Sequence, residues 1–247
     1  NKNIEQNLLG SLYLELGRSW HERGEYDKSE EYYNYSLSIL IKHNGEKHES
    51  VANAYNAIGF SQKLSNRYDQ ALFNYQKSQD IIANVFGENS TQIAVIWNNI
   101  AGVYSSMGEG RTAIDYYKKA LENAKDNLPP DHEYIAARTG NLGMAYMDVG
   151  NFDQATSLLE EGLQLTIEKF GEEHPASASS MNNLGILYGR NKKYDRAEQL
   201  LVKSLAILVK TRGANHVYTN STRETLEEVR QKRITDTFSE KESSILE

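Results

Sequence analysis

Apolar and polar positions recur along the chain at helical spacing, and the whole pattern repeats every 42 residues. An apolar residue stands at Leu16, Ile58, Ile100, Leu142, Leu184 and Leu226, followed by a small one at Gly17, Gly59, Ala101, Gly143 and Gly185. Three positions further on comes Trp20, Gln62, Tyr104, Tyr146 or Tyr188. These offsets put the large side chains on one face of a helix, with a small residue where a second helix must come close. A turn position follows at Gly24, Asn66, Gly108, Gly150 or Lys192, then an aromatic at Tyr26, Tyr68, Phe152 and Tyr194. A second small column, Ser29, Ala71, Ala113, Ala155 and Ala197, marks the close-packing point of a second helix. In the fourth repeat that helix continues through Leu158, Leu159, Leu163 and Ile167 to Phe170, and Gly171 stops it. Similar stops stand at Gly45, Gly87 and Gly213, with Pro129 in the third repeat.

A period of this size, carried by helical spacing, predicts stacked helical hairpins that present a long surface to something else. The fold class is all-α: five helix-turn-helix hairpins over residues 7–48, 49–90, 91–132, 133–174 and 175–216, then a capping helix over 218–234. Leu226 and Val229 form the inner face of that cap, because a solenoid must cover its last apolar face. Residues 235–247 are polar and unpatterned, and are expected to be a flexible tail that could fold back into the groove. Three prolines and an unbroken pattern favour one array over residues 1–234 without an internal linker. The chain opens at Asn1 without a methionine, and is expected to be a piece of a longer protein.

The small column, the apolar-Gly-x-x-Tyr run, the Gly-x-Tyr/Phe turn and the second-helix alanine resemble the tetratricopeptide repeat. The 42-residue form, with Asn-Asn-Leu-Gly at Asn182 to Gly185 and Phe-Gly-Glu-Glu-His-Pro at Phe170 to Pro175, resembles the kinesin-light-chain subtype. This resemblance covers nearly the whole chain. It implies a right-handed superhelical solenoid whose first helices line a concave groove, working as a protein-protein interaction scaffold or adaptor. The alternative is a sensor or regulatory arm of a larger signalling protein, contacting another domain of its own chain. Gly110, Gln62 and Ser29 depart from the pattern, so looser packing is expected in the second and third repeats.

The groove so implied directs attention to polar residues of the first helices. Asn56, Asn98 and Asn182 stand just before the small column, with Asn99, Asn141 and Asn183 one residue on. A carboxamide both donates and accepts, and can pair with the backbone of an extended peptide whatever its sequence. The first column is expected to bind. For the second, binding and holding adjacent hairpins in register stand level. Arg18, Phe60, Lys63, Met144, Met147, Ile186 and Arg190 are candidates for selectivity, suiting a peptide with apolar anchors and an acidic residue. The clamp that reads a C-terminal carboxylate in chaperone-tail binders would need a lysine and an asparagine where this chain has Leu14 and Arg18.

Charge and composition narrow the partners. The net charge is −7 and no basic block gathers on one face, which argues against nucleic acid. No apolar run is long enough for membrane insertion. The absence of cysteine rules out disulfides and thiol chemistry and agrees with the cytoplasmic location we expect. Four of the six histidines, His48, His132, His174 and His216, share one column. Two helices about 8–10 Å thick separate neighbours, whereas ligands of one zinc lie about 2 Å from it. They are therefore read as residues that begin the next helix, and no metal or cofactor is expected. Gly108 to Thr112 only faintly echoes a phosphate loop, and Glu30 with Glu31 or Glu160 with Glu161 are solvated acids. No catalytic constellation assembles, so the chain is not expected to be an enzyme. Self-association through the terminal helices or Tyr32, Tyr33 and Tyr35 is left open.

Overall fold

The computed structural model describes the backbone of residues 2–246 and the side chains of residues 6–237. Among the described residues there are eleven α-helices and no strands. They run in hairpins: α1 (Lys2–Glu22) with α2 (Tyr26–Asn44), α3 (Glu49–Leu64) with α4 (Tyr68–Phe86), and α5 (Thr91–Ser106) with α6 (Gly110–Asn127). Then come α7 (Glu133–Asp148) with α8 (Phe152–Phe170), α9 (Pro175–Arg190) with α10 (Tyr194–Arg212), and α11 (Val217–Leu246). Contacts divide the chain into two compact units, Asn1–Asn127 and Leu128–Glu247, where the sequence pattern runs on as one array. Within each unit every helix packs on the next, so second helices lie between first helices of successive hairpins.

The two small columns explain how closely the hairpin helices approach. Across from Gly17, Gly59, Gly143 and Gly185 lie the large side chains of Tyr33, Tyr75, Leu159 and Leu201. A Cβ at Gly185 would sit 2.8 Å from Leu201 Cγ, inside any real contact distance. On the other helix, Ser29, Ala71, Ala113, Ala155 and Ala197 are fully buried. A further column pins each hairpin through polar bonds: Ser36, Ser78 and Ser204 donate to the carbonyls of Gly10, Ala52 and Ala178, at 2.7–2.8 Å. The fourth repeat has Gly162 there, and its backbone instead lies against Gly140 and Ala136 of α7.

Connections follow the same periodic logic. The turn inside each hairpin needs a left-handed residue, supplied by Gly24, Gly108 and Gly150 but also by Asn66 at φ 59° and Lys192 at φ 57°. Between hairpins the histidine column begins the next helix. The side chains of His48, His132, His174 and His216 accept from the backbone N–H two residues on, at 3.1–3.2 Å. Gln62, the departure from the aromatic column, is buried and spent on polar bonds: it donates to Glu30 at 2.8 Å and accepts from Asn74 at 2.8 Å. At the C-terminus, Leu226 and Val229 are buried in the core of unit 2. The helix there is longer than the 218–234 cap of the sequence reading, since α11 runs on to Leu246. Most of the tail that could reach a groove, residues 238–247, lies outside the described side chains.

Candidate functional site

In unit 2 the first helices α7, α9 and α11 lie side by side, each in contact with the next. Their shared face carries two hollows. The larger, about 500 Å³, opens between the N-terminal halves of α7 and α9 and is closed at one end by Thr166 and Phe170 of α8. Its floor is small, with Ala136, Ala137 and Gly140 from α7 and Ala176, Ser179 and Ser180 from α9. Tyr134 and Phe170 supply aromatic walls, and Asn141 and Asn183 project into the same space from successive repeats.

The walls are held from outside the hollow. The Arg138 guanidinium sits over the Tyr134 ring, 4.9 Å from its centroid, and Phe170 stacks on the capping ring of His174 at 4.6 Å. Thr166 donates to the Gly162 carbonyl at 2.6 Å and meets the Ser180 hydroxyl at 3.2 Å, tying α8 to α9 beneath the floor. Burial pushes the Arg138 pKa down, with Tyr134 pulling it partly back. Asn183 makes no hydrogen bond to another side chain or to the backbone among the described residues, so its carboxamide is available to an incoming group. The smaller hollow, about 280 Å³, lies between α9 and α11 and brings Ile186 and Arg190 up to Thr225, Glu228 and Lys232.

The two asparagine columns have different fates. Asn182 turns its carbonyl oxygen into the protein, buried and without a donor, whereas Asn183 faces the hollow. In unit 1, Asn99 of α5 donates to Asn56 of α3 at 2.9 Å, so there a residue of each column is used to bridge successive repeats. Asn98 is half-buried. Of the other candidates in unit 1, Arg18 is exposed and paired with Glu15 at 3.3 Å. Phe60 stacks on His21 at 4.7 Å and lies under the Lys63 amine at 5.1 Å. Burial holds the Lys63 pKa below the usual lysine range.

In unit 2, Met144 and Ile186 pack partly buried against the core, and Arg190 pairs with Asp148 of α7 at 3.0 Å. Met147 requires a correction. It is only 2 % exposed and belongs to the core between α7 and its neighbours, so it cannot face a ligand. Tyr134, Thr166 and Phe170 were not singled out as site residues from the sequence. The signal for them was Gly162, a glycine where other repeats carry serine or alanine, because the bare backbone lets α8 settle onto α7 below the hollow.

Stacked helix-turn-helix hairpins with a small residue where the two helices meet, a left-handed residue in each hairpin turn and a histidine cap before four of the first helices define an α-helical repeat protein. The chain belongs to the tetratricopeptide repeat family, whose model matches residues 6–84, 67–126 and 133–210. Among solved structures it is similar to a Podosopora anserina protein described as a kinesin light chain with nearly identical TPR-like repeats. That pair is 21 % identical with a TM-score of 0.66, covering 84 % of this chain and 97 % of the other. A Rap protein complexed with competence and sporulation factor is 15 % identical with a TM-score of 0.75, over 90 % of this chain and 62 % of that one. Aspartyl phosphate phosphatase F from Bacillus subtilis is 14 % identical with a TM-score of 0.74, over 100 % of this chain and 63 % of that one. At these identities the likeness is one of fold. No curated protein sequence matches significantly. Among the described residues no helix is long and apolar enough to cross a membrane.

Proposed function

We propose that the protein is an interaction scaffold, not an enzyme, and that it holds an extended segment of a partner protein along the face of α7 and α9. The observation that carries this reading is the convergence of Asn141 and Asn183, from equivalent positions of successive repeats, on one hollow of about 500 Å³. Adjacent helices pack about 8–10 Å apart, and extended chain rises about 3.3 Å per residue. Two carboxamides on neighbouring first helices therefore match peptide groups about three residues apart. A carboxamide offers both a donor and an acceptor, Asn183 in full and Asn141 alongside the partner it already has, so the pair grips main chain and carries little sequence preference. Selectivity falls to the walls: Tyr134 and Phe170 with the small floor favour one apolar side chain between the two amides. The fold likeness to a Rap protein whose structure includes competence and sporulation factor is consistent with a ligand held by such repeats.

The test is selection of a displayed random-peptide library on the wild-type chain, followed by affinities for the Asn141→Ala, Asn183→Ala double variant. Loss of two hydrogen-bonding groups, at about 0.5–1.5 kcal/mol each, should weaken selected peptides about tenfold or more at unchanged helicity. Equal affinity for both proteins would remove the asparagines from the site.

A further inference from the structure

The hollow beside the α4–α5 junction of unit 1 departs from its counterpart in unit 2. In unit 2, Asp131, Leu165, Glu168 and Lys169 bound a hollow of about 280 Å³, and Lys169 pairs with Asp131 at 2.9 Å. One period earlier the matching positions hold Asn89, Asn123, Asp126 and Asn127, and the hollow there is about 560 Å³. The ion pair has given way to two amides, and a third amide, Asn123, stands where the other second helices carry Ile39, Ile81, Leu165 and Ile207. Trp97 of α5 and Lys119 and Glu122 of α6 complete the walls.

Asn123 is only 8 % exposed. Its amide nitrogen donates to the Asn89 carbonyl at 2.9 Å, which fixes the side chain, and its own carbonyl oxygen is buried without a donor. An amide oxygen left so is costly, and a group that brings it an N–H removes the cost. Glu122 and Asp126 stand one turn apart on α6, both exposed and neither in an ion pair among the described residues. Like charges at this spacing repel, and Asp126, in the last turn of α6, also meets the negative end of the helix dipole. Helix stability favours neither acid there, whereas a bound cation relieves both. Lys119 pairs with neither of them, and its amine lies over the Tyr116 ring, 5.4 Å from the centroid. Trp97 packs half-buried against the core of unit 1 and shows part of its indole to the same space.

We infer that this hollow is a binding site for an arginine side chain of a partner protein, with Glu122 and Asp126 meeting the charge, the Asn123 oxygen accepting an N–H and Trp97 lying against the guanidinium. A guanidinium carries five N–H donors in one plane and no acceptor, so it can serve three acceptors at once and lay its face on an indole. A lysine ammonium is compact and strongly hydrated, and matches this set less well. The site lies in unit 1 and does not depend on the α7–α9 hollow: it selects a cationic side chain, where that hollow holds main chain.

The probe is the blocked tripeptide acetyl-Gly-Arg-Gly-amide, titrated into the full chain and read by NMR on the indole N–H signals of Trp20 and Trp97, the chain's two tryptophans, assigned with Trp20→Phe. At about 0.15 M salt the Trp97 signal should shift saturably while the Trp20 signal stays in place. Citrulline in place of arginine, which keeps the shape and removes the charge, should abolish the shift, and lysine should bind severalfold more weakly. Free arginine, whose own carboxylate meets the same acids, should also bind more weakly. Glu122→Gln and Asp126→Asn should each weaken the tripeptide about threefold or more, and Asn123→Leu, which restores the apolar type of the other second helices, about tenfold, all at unchanged helicity. Asp69→Asn, at an exposed acid elsewhere in unit 1, should leave binding unchanged. No saturable shift of Trp97, equal binding of the citrulline or lysine peptide, or equal binding by Glu122→Gln, Asp126→Asn and Asn123→Leu overturns the proposal. Free arginine binding more tightly than the tripeptide gives the hollow to a small guanidine and overturns it as well.

Discussion

At Gly185 the distance to Leu201 leaves no room for a methyl group, and Leu201 is itself fully buried. Gly185→Ala should therefore destabilise unit 2 by about 1–3 kcal/mol, read as a lowered urea midpoint. An unchanged midpoint would mean that the hairpin can open without strain. His21 provides a test by pH. Burial lowers its pKa from the ordinary 6.5, Glu22 pulls it partly back up, and Lys63 adds to the lowering. The unfolded chain then takes up a proton that the folded chain resists, so this contribution is complete above about pH 6.5 and is lost as pH falls through the lower folded value. Comparing urea midpoints at about pH 7.5 and about pH 5.5, the wild type should lose more stability than His21→Gln. The same loss in both proteins would place the titration elsewhere. Residue scale is also where sequence reading reached its limit. Asn182 and Asn183 differ by one position, which on a helix is a rotation of about 100°. Periodicity fixes both columns to the inner half of the helix but leaves undetermined which carboxamide clears the packing, and here it is Asn183. Met144 and Met147, three positions apart, share one face of α7, and there the depth of packing decides: Met147 lies in the core while Met144 packs partly buried against it.

Helices were far more legible than single side chains. Small and aromatic columns are imposed by backbone approach, so they recur with few departures, such as Gln62 and Gly110, and place the hairpins directly. The histidine column was read as helix-starting, and the structure supplies the bond: His174 accepts from the Ala176 N–H at 3.1 Å while its ring stacks on Phe170. His174→Ala should cost about 1 kcal/mol of stability in unit 2, while His174→Asn, which restores a capping oxygen, should recover much of it. Equal loss in both variants would assign the effect to the ring stack. The length of α11 was not legible. Beyond Ile234 the apolar periodicity ends, yet no glycine or proline follows Gly213, and a helix already nucleated continues until something breaks it. Local contacts help, because Asp236 accepts from the Tyr194 hydroxyl at 2.6 Å and pairs with Lys192 at 3.1 Å. Both partners hold its carboxyl below the usual range.

For the molecule as a whole, repetition turns a small motif into a set of equivalent positions, and the candidate site lies where equivalence fails. The asparagine pair bridges α3 and α5 in unit 1, while Asn141 and Asn183 meet at a hollow in unit 2. The central claim is that Asn183 holds peptide main chain, and a cycle of two changes measures it directly. The affinity of one selected peptide is determined against the wild type and Asn183→Ala, with and without N-methylation of each backbone amide in turn. At the paired amide, each change alone should weaken binding about three- to tenfold, and the two together should weaken it little more than either one, since both remove the same hydrogen bond. Losses that multiply at every amide would show that Asn183 does not touch the peptide backbone, and the account of the groove would be wrong.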